Sequence, residues 1–341
     1  MPGNVTTYDS ISPRTRTLAK ARLLKNAKAL MIIEQFGAID PMPRNSTKSC
    51  TWRRYLPFAL AIAPLSEGVT PAGSQLQTED VTATLQQYGD WCPVTDIVQD
   101  THEDRILNGV IIPAHKQQSS ETIETIRYNR LRAGTYATYS GGTSRATVNG
   151  TMTRVLQRKV VRLLKRNRAM QITRVMRASA MIATDPIMPA FVGLAHTDLE
   201  SDFRGMQGYI DCAHYSGTGK LVGEHGKCEE VRYCTSDLFR PFLNAATSTS
   251  NTTYLVGGEV VTAAGNPDVY PVLIFGQEAY HIVPFAGKDA VEMYVKNPEA
   301  TISDPIAQRG FASWKTLQAS AITTQAWFHR VEVAATAEPS A

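Results

Sequence analysis

Between residues 81 and 86, Val81, Ala83 and Leu85 alternate with Thr82, Thr84 and Gln86. A period of two predicts a strand with one face exposed. A turn-rich tip precedes it, Gly68-Val69-Thr70-Pro71-Ala72-Gly73, and Gly89 and Pro93 bracket a break before Val94. The segment 67–98 holds no lysine and no sizeable apolar run. It cannot build a core by itself, and an extended ribbon of this kind gains stability by lying on another surface. The simplest such surface is a neighbouring copy of the same chain.

Helical spacing dominates elsewhere in the first half. Ser12-Pro13 marks a helix start, and Leu18, Leu23, Leu24, Ala27, Leu30 and Met31 carry one stripe towards Gly37, opposite Arg16, Lys20 and Lys28. A loop with Pro41, Pro43 and Asn45 leads to an extended piece at 50–58. The pattern fits an arm, and equally a helix docked on its own domain. Residues 100–132 read as a long helix, with Thr101 as cap and Glu103 and Asp104 where the helix dipole favours acids. Ile106, Leu107, Val110, Ile123, Ile126 and Leu131 supply its apolar face, and Pro113 should kink or split it. After the glycine-rich 134–144, a second helix spans 151–167, with Met152, Val155, Leu156, Val160, Leu163 and Leu164 in one stripe. From Pro186 the chain turns to short β-rich runs, 191–194, 231–235, 254–256, 269–275 and 281–285, separated by Gly, Asn, Asp and Pro. Residues 314–329 fit either strand or helix. The class is α+β, without internal repeats.

The totals narrow the choice. A chain of 341 residues buries about three-quarters of its unfolded surface, enough for one large core or two modest ones. No window approaches the roughly 20 apolar residues of a membrane span; the best, 57–65, is short and holds two prolines. The N-terminus lacks the build of a signal peptide, so synthesis and retention on the cytoplasmic side of a cell are expected. Five scattered cysteines argue against a disulfide framework.

The net charge of +4 conceals segregation. Residues 1–60 hold ten Lys/Arg and three acids, and 125–184 hold thirteen Lys/Arg and no acid. The segments 61–124 and 185–341 each sum to −8. Opposed blocks suit a protein that packs positive on negative against copies of itself.

Candidate chemistry is sparse. The chain has no H-E-x-x-H and no G-x-S-x-G, and the phosphate-loop hint at 217–221 lacks both its first glycine and the Ser/Thr that should follow Lys220. Cys212, His214, His225, Cys228 and Cys234 are the one place for a metal, but their spacing is poor for zinc. Buried thiols and surface histidines are the simpler reading. His102-Glu103-Asp104 reads as helix capping rather than an acid–base group. The basic helix at 151–167 could grip phosphates, yet no aromatic is interleaved for stacking. An interface or solvated face is preferred over nucleic-acid contact. The expectation is a non-enzymatic protein with no catalytic residue, cofactor or metal; the alternative is a cytoplasmic nucleic-acid-binding protein using 125–184.

Four blocks in order, "WRRYLPFA" at 52–59, "PLSEGVTPAGSQLQTEDVTATLQQYGDW" at 64–91, "VGEHGKCEEVRYCTSDLF" at 222–239 and "DPIAQRGFASWKTLQASAITTQAWFHRVE" at 304–332, resemble the major capsid proteins of N-four-like tailed bacteriophages. Together they span nearly the whole chain. The resemblance implies the Hong Kong 97-type capsid fold, with an arm at 1–66, an extended loop at 67–98, a peripheral domain with a spine helix at 99–185, an axial domain at 186–294, and a return to the peripheral domain at 295–341. It implies a homo-oligomer of pentamers and hexamers in an icosahedral virion shell, enclosing double-stranded DNA without reading its sequence and without a membrane. A separate scaffold and portal are implied, with decoration proteins as a further source of cohesion. The lysine cross-link of the type member is not expected, since no lysine occurs between Lys48 and Lys116. Candidate contacts between copies are Glu67, Gly68 and Thr70 at the tip with Tyr88 behind it. Arg158, Arg162 and Lys165 are candidates on the basic helix, and Arg309 and Trp314 in the closing block.

Overall fold

The structure, a computed structural model, describes residues 31–337 except 46, 66, 69, 71, 103–105, 178–182, 215–219, 248–253, 258–264, 286–290 and 301–303. In chain order, β1 (Ala38–Ile39) leads into a ribbon of β2 (Ser49–Tyr55) and β3 (Thr78–Thr84), which β4 (Gln86–Thr95) continues. Helix α1 (Asp96–Thr101), a π-turn at Ile106–Ile111 and α2 (Ile112–Leu131) follow. Next come β5 (Ala137–Tyr139), α3 (Arg154–Arg166), β6 (Ile172–Arg177), β7 (Ala183–Ala195), α4 (Glu200–Arg204) and β8 (Tyr209–Asp211). The rest is strands: β9 (Glu224–Cys228), β10 (Val231–Thr235), β11 (Tyr270–Phe275), β12 (Tyr280–Val283), β13 (Glu292–Lys296), β14 (Arg309–Ile322) and β15 (Phe328–Val333).

Two large sheets share these strands. In the first, β14 is the spine: β4 and β13 flank its first half, β12 pairs with its end, and β1 lies outside β12. Helix α2 covers one face, where Trp314 Nε1 donates to Gln118 Oε1 at 2.9 Å and Arg127 Nη2 to Gln318 Oε1 at 3.0 Å. The second sheet runs β5-β15-β11-β7-β10-β9-β8, with β6 also on β7. Its central β11 is buried along its whole length. On one side Phe275 stacks on Phe328 at 5.7 Å; on the other Phe203 stacks on Tyr233 at 4.3 Å, beneath α3. The closing block therefore divides: β14 belongs to the first sheet and β15 to the second, so 295–341 does not return to one domain as a unit.

The long helix expected at 100–132 is instead three pieces. Thr101 ends α1 rather than capping a helix, its hydroxyl donating to Ile97 O at 2.5 Å; Glu103 and Asp104 lie outside the described residues. Pro113 sits in the first turn of α2, directly after the π-turn. Proline lacks the N–H and clashes with the carbonyl four residues back, which a widened turn relieves. Of the N-terminal helix, residues 12–30 lie outside the described residues, and Ile33–Gln35 form a single 3-10 turn. Glu124 on α2 holds its entry: Oε1 accepts from the Ile32 and Ile33 amides at 2.8 and 2.9 Å, and Tyr280 Oη donates to Ile33 O at 2.6 Å. Burial pushes the Glu124 carboxyl up, against the pull of those amides.

Helix α3 begins where Thr153 Oγ1 accepts from Leu156 N at 3.3 Å. Its buried face is Gln157, Val160 and Leu164, while Val155, predicted in the apolar stripe, is 77% exposed. Gln157 takes the inward place because its amide joins Cys228 O at 2.7 Å to the Tyr233 hydroxyl at 2.8 Å. The run at 254–256 forms isolated bridges rather than a strand, with Tyr254 paired to Thr336. Residues 314–322 are strand.

Candidate assembly surface

The ribbon has two strands, one from each side of the tip. β2 pairs with β3 from Ser49↔Thr84 to Tyr55↔Thr78. A boundary at 66/67 thus cuts the ribbon at its tip, and the extended piece at 50–58, assigned by pattern to the arm, is its first strand. Short polar side chains tie the rungs, Ser49 to Thr84 at 3.2 Å and Thr51 to Thr82 at 3.0 Å. Arg53 forms two 2.8 Å bonds to Asp80, which hold that carboxyl below its usual range. The root lies on the chain's own body. Cys50, Ala83 and Leu85 pack with Met42, Val283 and Ala319, and Trp52 Nε1 donates to Asp40 Oδ2 at 2.6 Å beside the His281 ring.

The tip has no such cover. Leu60, Ile62 and Leu65 are 81%, 85% and 75% exposed, with Phe58 and Leu76 more than half exposed. Glu67, Gly68 and Thr70 are exposed as well. Gly68 has φ of +76° with open space around its Cβ position, so glycine is there for the turn and not for room. An apolar stretch held out on a polar ribbon is an interaction surface. The run at 57–65, noticed in the sequence only as too short to cross a membrane, is the signal that locates it.

The basic helix is less free than its sequence suggests. Arg158 forms a hydrogen-bonded pair with Glu229, Arg154 Nε donates to the same carboxylate at 2.8 Å, and Lys165 Nζ meets Glu230 at 2.5 Å. The guanidiniums of Arg158 and Arg154 hold the Glu229 carboxyl down to about 2. Arg145, on the loop before α3, clasps Glu332 of β15 with two 2.8 Å bonds. Cations from 125–184 therefore neutralise acids from 185–341 within one chain. Complementary blocks, expected between copies, are partly spent inside each copy because both segments build the second sheet. Arg162 remains exposed, and so does Arg309, whose amide bonds Asp304 Oδ2 at 2.8 Å. Trp314, expected at a contact between copies, is 3% exposed and packs beneath its own α2. Tyr88 is half-buried, its hydroxyl on Gln86 Oε1 at 2.7 Å.

The cysteine and histidine candidates do not converge. Cys228 and Cys234 are buried in the second sheet, and burial pushes both thiols up. Cys212 is half-buried and His214 exposed. His225 Nδ1 bonds the Tyr209 hydroxyl, and Nε2 lies 3.3 Å from Glu200 Oε2, whose other oxygen accepts from Thr235 Oγ1 at 2.6 Å. Burial depresses His225 despite that carboxylate. This chain of polar groups joins α4, β8, β9 and β10. Among the described residues no three His, Cys, Asp or Glu side chains are grouped as for a metal.

No protein-family model matches the chain, and no curated protein matches it in sequence. Solved structures do match over nearly its whole length. The capsid of Ralstonia phage GP4 superposes with a TM-score of 0.61 at 10% identity, covering 99% of this chain and 100% of that one. The head structure of Helicobacter pylori bacteriophage KHP40 gives 0.58 at 10% identity, covering 97% and 98%. The Cyanophage Pam1 capsid gives 0.56 at 12% identity, covering 96% and 100%. The chain has the mixed α+β fold of these phage capsid chains.

Proposed function

We propose that this chain is the major capsid protein of a tailed phage, a structural subunit that self-assembles into the icosahedral head shell around double-stranded DNA. The exposed apolar tip of the ribbon carries the reading. A monomer gains nothing from holding Leu60, Ile62 and Leu65 in water, whereas a shell of copies covers them. The whole-length likeness in fold to phage capsid chains supports it. In detail, the fold is the Hong Kong 97-type, of the N-four-like group. The ribbon of β2 and β3 is the extended loop, α2 with the first sheet the peripheral domain, and the second sheet, β15 included, the axial domain. Pentamers and hexamers form the shell, with a separate scaffold and portal, and the chain has no enzymatic role.

Expression alone and with a scaffold partner, followed by negative-stain microscopy, tests this. Closed shells are expected in at least one condition. Introducing Leu60→Asp with Ile62→Asp should leave a folded subunit with an unchanged melting curve that no longer assembles. Monodisperse wild-type monomers under both conditions overturn the proposal.

A further inference from the structure

A groove of about 560 Å³ opens between the ribbon root, α2 and β14, and no Asp or Glu lines it. Its two charges are Arg127 and Arg130, one turn apart on α2, where side chains three residues apart are neighbours. Thr82, Thr84 and Ser320 also line it. Arg127 is 4% exposed, and its Nε has no hydrogen-bond partner among the described residues. Its other nitrogens reach Gln318 Oε1 at 3.0 Å and, at 3.5 Å on the far side, Glu34 Oε2. Its charge is already shared with Glu34 and with Glu124 of the same helix, so the charge left to the groove is that of Arg130. Arg130 is exposed and has no carboxylate partner among the described residues.

We infer that this groove is the seat for Glu67 from a second copy, whose carboxylate pairs with Arg130 while the tip's apolar side chains lie along Ile126 and Ile322. The inference rests on the shell reading and adds to it the place where the tip lands. Charge complementarity selects the occupant: from Tyr55 to Thr78 the only charged residue is Glu67. That residue is exposed, makes no ion pair among the described residues, and stands beside Leu65. Finger and groove thus each carry charge of a single sign, and the signs are opposite. The occupant comes from another copy because Thr82 and Thr84 lie at the groove. β3 runs from Thr84 at the groove to Thr78 at the tip side, about 20 Å along the strand, and carries its own tip away from them.

A charge exchange tests the seat. Glu67 and Arg130 are both exposed, so Glu67→Arg and Arg130→Glu should fold with unchanged melting curves. Each alone should lower the yield of closed shells, by microscopy and sedimentation, at least tenfold (about 1.4 kcal/mol). The pair together should recover most of the wild-type yield. Wild-type shells that tolerate both single reversals, or a double variant no better than the singles, overturn the seat alone. Wild-type subunits that never associate overturn the shell reading and the seat with it.

Discussion

Replacing Glu332 by alanine should destabilise the folded subunit by about 3–5 kcal/mol, the range for removing one partner of a buried ion pair. Its carboxylate is fully buried in β15. Arg145 Nε and Nη2 each donate to it at 2.8 Å, and Arg330 Nε stands 2.8 Å from Oε1. Arg145 also lies over the Phe242 ring at 3.5 Å, with Arg132 over the same ring at 4.7 Å. Removing the carboxylate leaves Arg330 almost buried with only the carbonyls of Arg132 and Gly134 to receive its N–H groups. Arg145→Ala should cost less, because Arg330 still faces Glu332 and Arg145 is already a third exposed. Urea unfolding of the three proteins at pH 7 checks the order. A loss below about 1 kcal/mol for Glu332→Ala, the ordinary value of an exposed pair, would mean that water replaces the carboxylate and that the clasp is not a fold determinant.

That clasp also explains what could and could not be read from the chain. The alternation at 81–85 is a strand because one face meets the core and the other meets water, and a two-residue period records that. Helix α3 was legible for the same reason, except at Val155. There Gln157 outcompetes a valine for the inward place by bonding Cys228 O and Tyr233, and hydropathy alone does not register hydrogen bonds. Strand β14 was ambiguous because both its faces mix polar and apolar residues. Trp314, Thr316 and Gln318 point into the core while Phe311 and Leu317 are only half-buried. Its state is set by β4 and β13 on either side and by α2 beneath, a tertiary choice that local propensity does not contain. Charge blocks were visible, but their meaning depended on distance in space. Arg145 and Glu332 are far apart in sequence and hydrogen-bonded in the fold. Of the contact candidates, the tip was legible as a turn without a core, while the seat proposed for it requires knowing that Arg127 and Arg130 share a groove with Thr82 and Ser320.

Below neutral pH the subunit should lose stability through His329, by about 3 kcal/mol between pH 6.5 and 4. The imidazole is buried, its Nε2 2.6 Å from Thr138 Oγ1, and its pKa is lowered to about 4. Burial is the main cause; Lys159 of α3 and Arg330 of its own strand add to it. The sign follows from which state takes the proton. An unfolded histidine titrates near 6.5, so between 6.5 and 4 the unfolded chain is protonated while the folded chain is not. Mass action then favours unfolding. The contribution is fully present above pH 6.5, falls as pH drops, and is lost once the folded-state pKa is passed. Glu124 opposes it, because burial raises that carboxyl and the folded chain then holds the proton more tightly. His225 and His281, both depressed by burial, act in the same direction as His329. The separating measurement is therefore a difference: urea unfolding of wild type and His329→Gln at steps from pH 7.5 to 4. Wild type should lose about 3 kcal/mol more than the variant over that span, whatever offset the substitution introduces at pH 7.5. Parallel curves would show that His329 titrates near its unfolded value, and that the pocket between β5, β15 and Lys159 admits the charged ring.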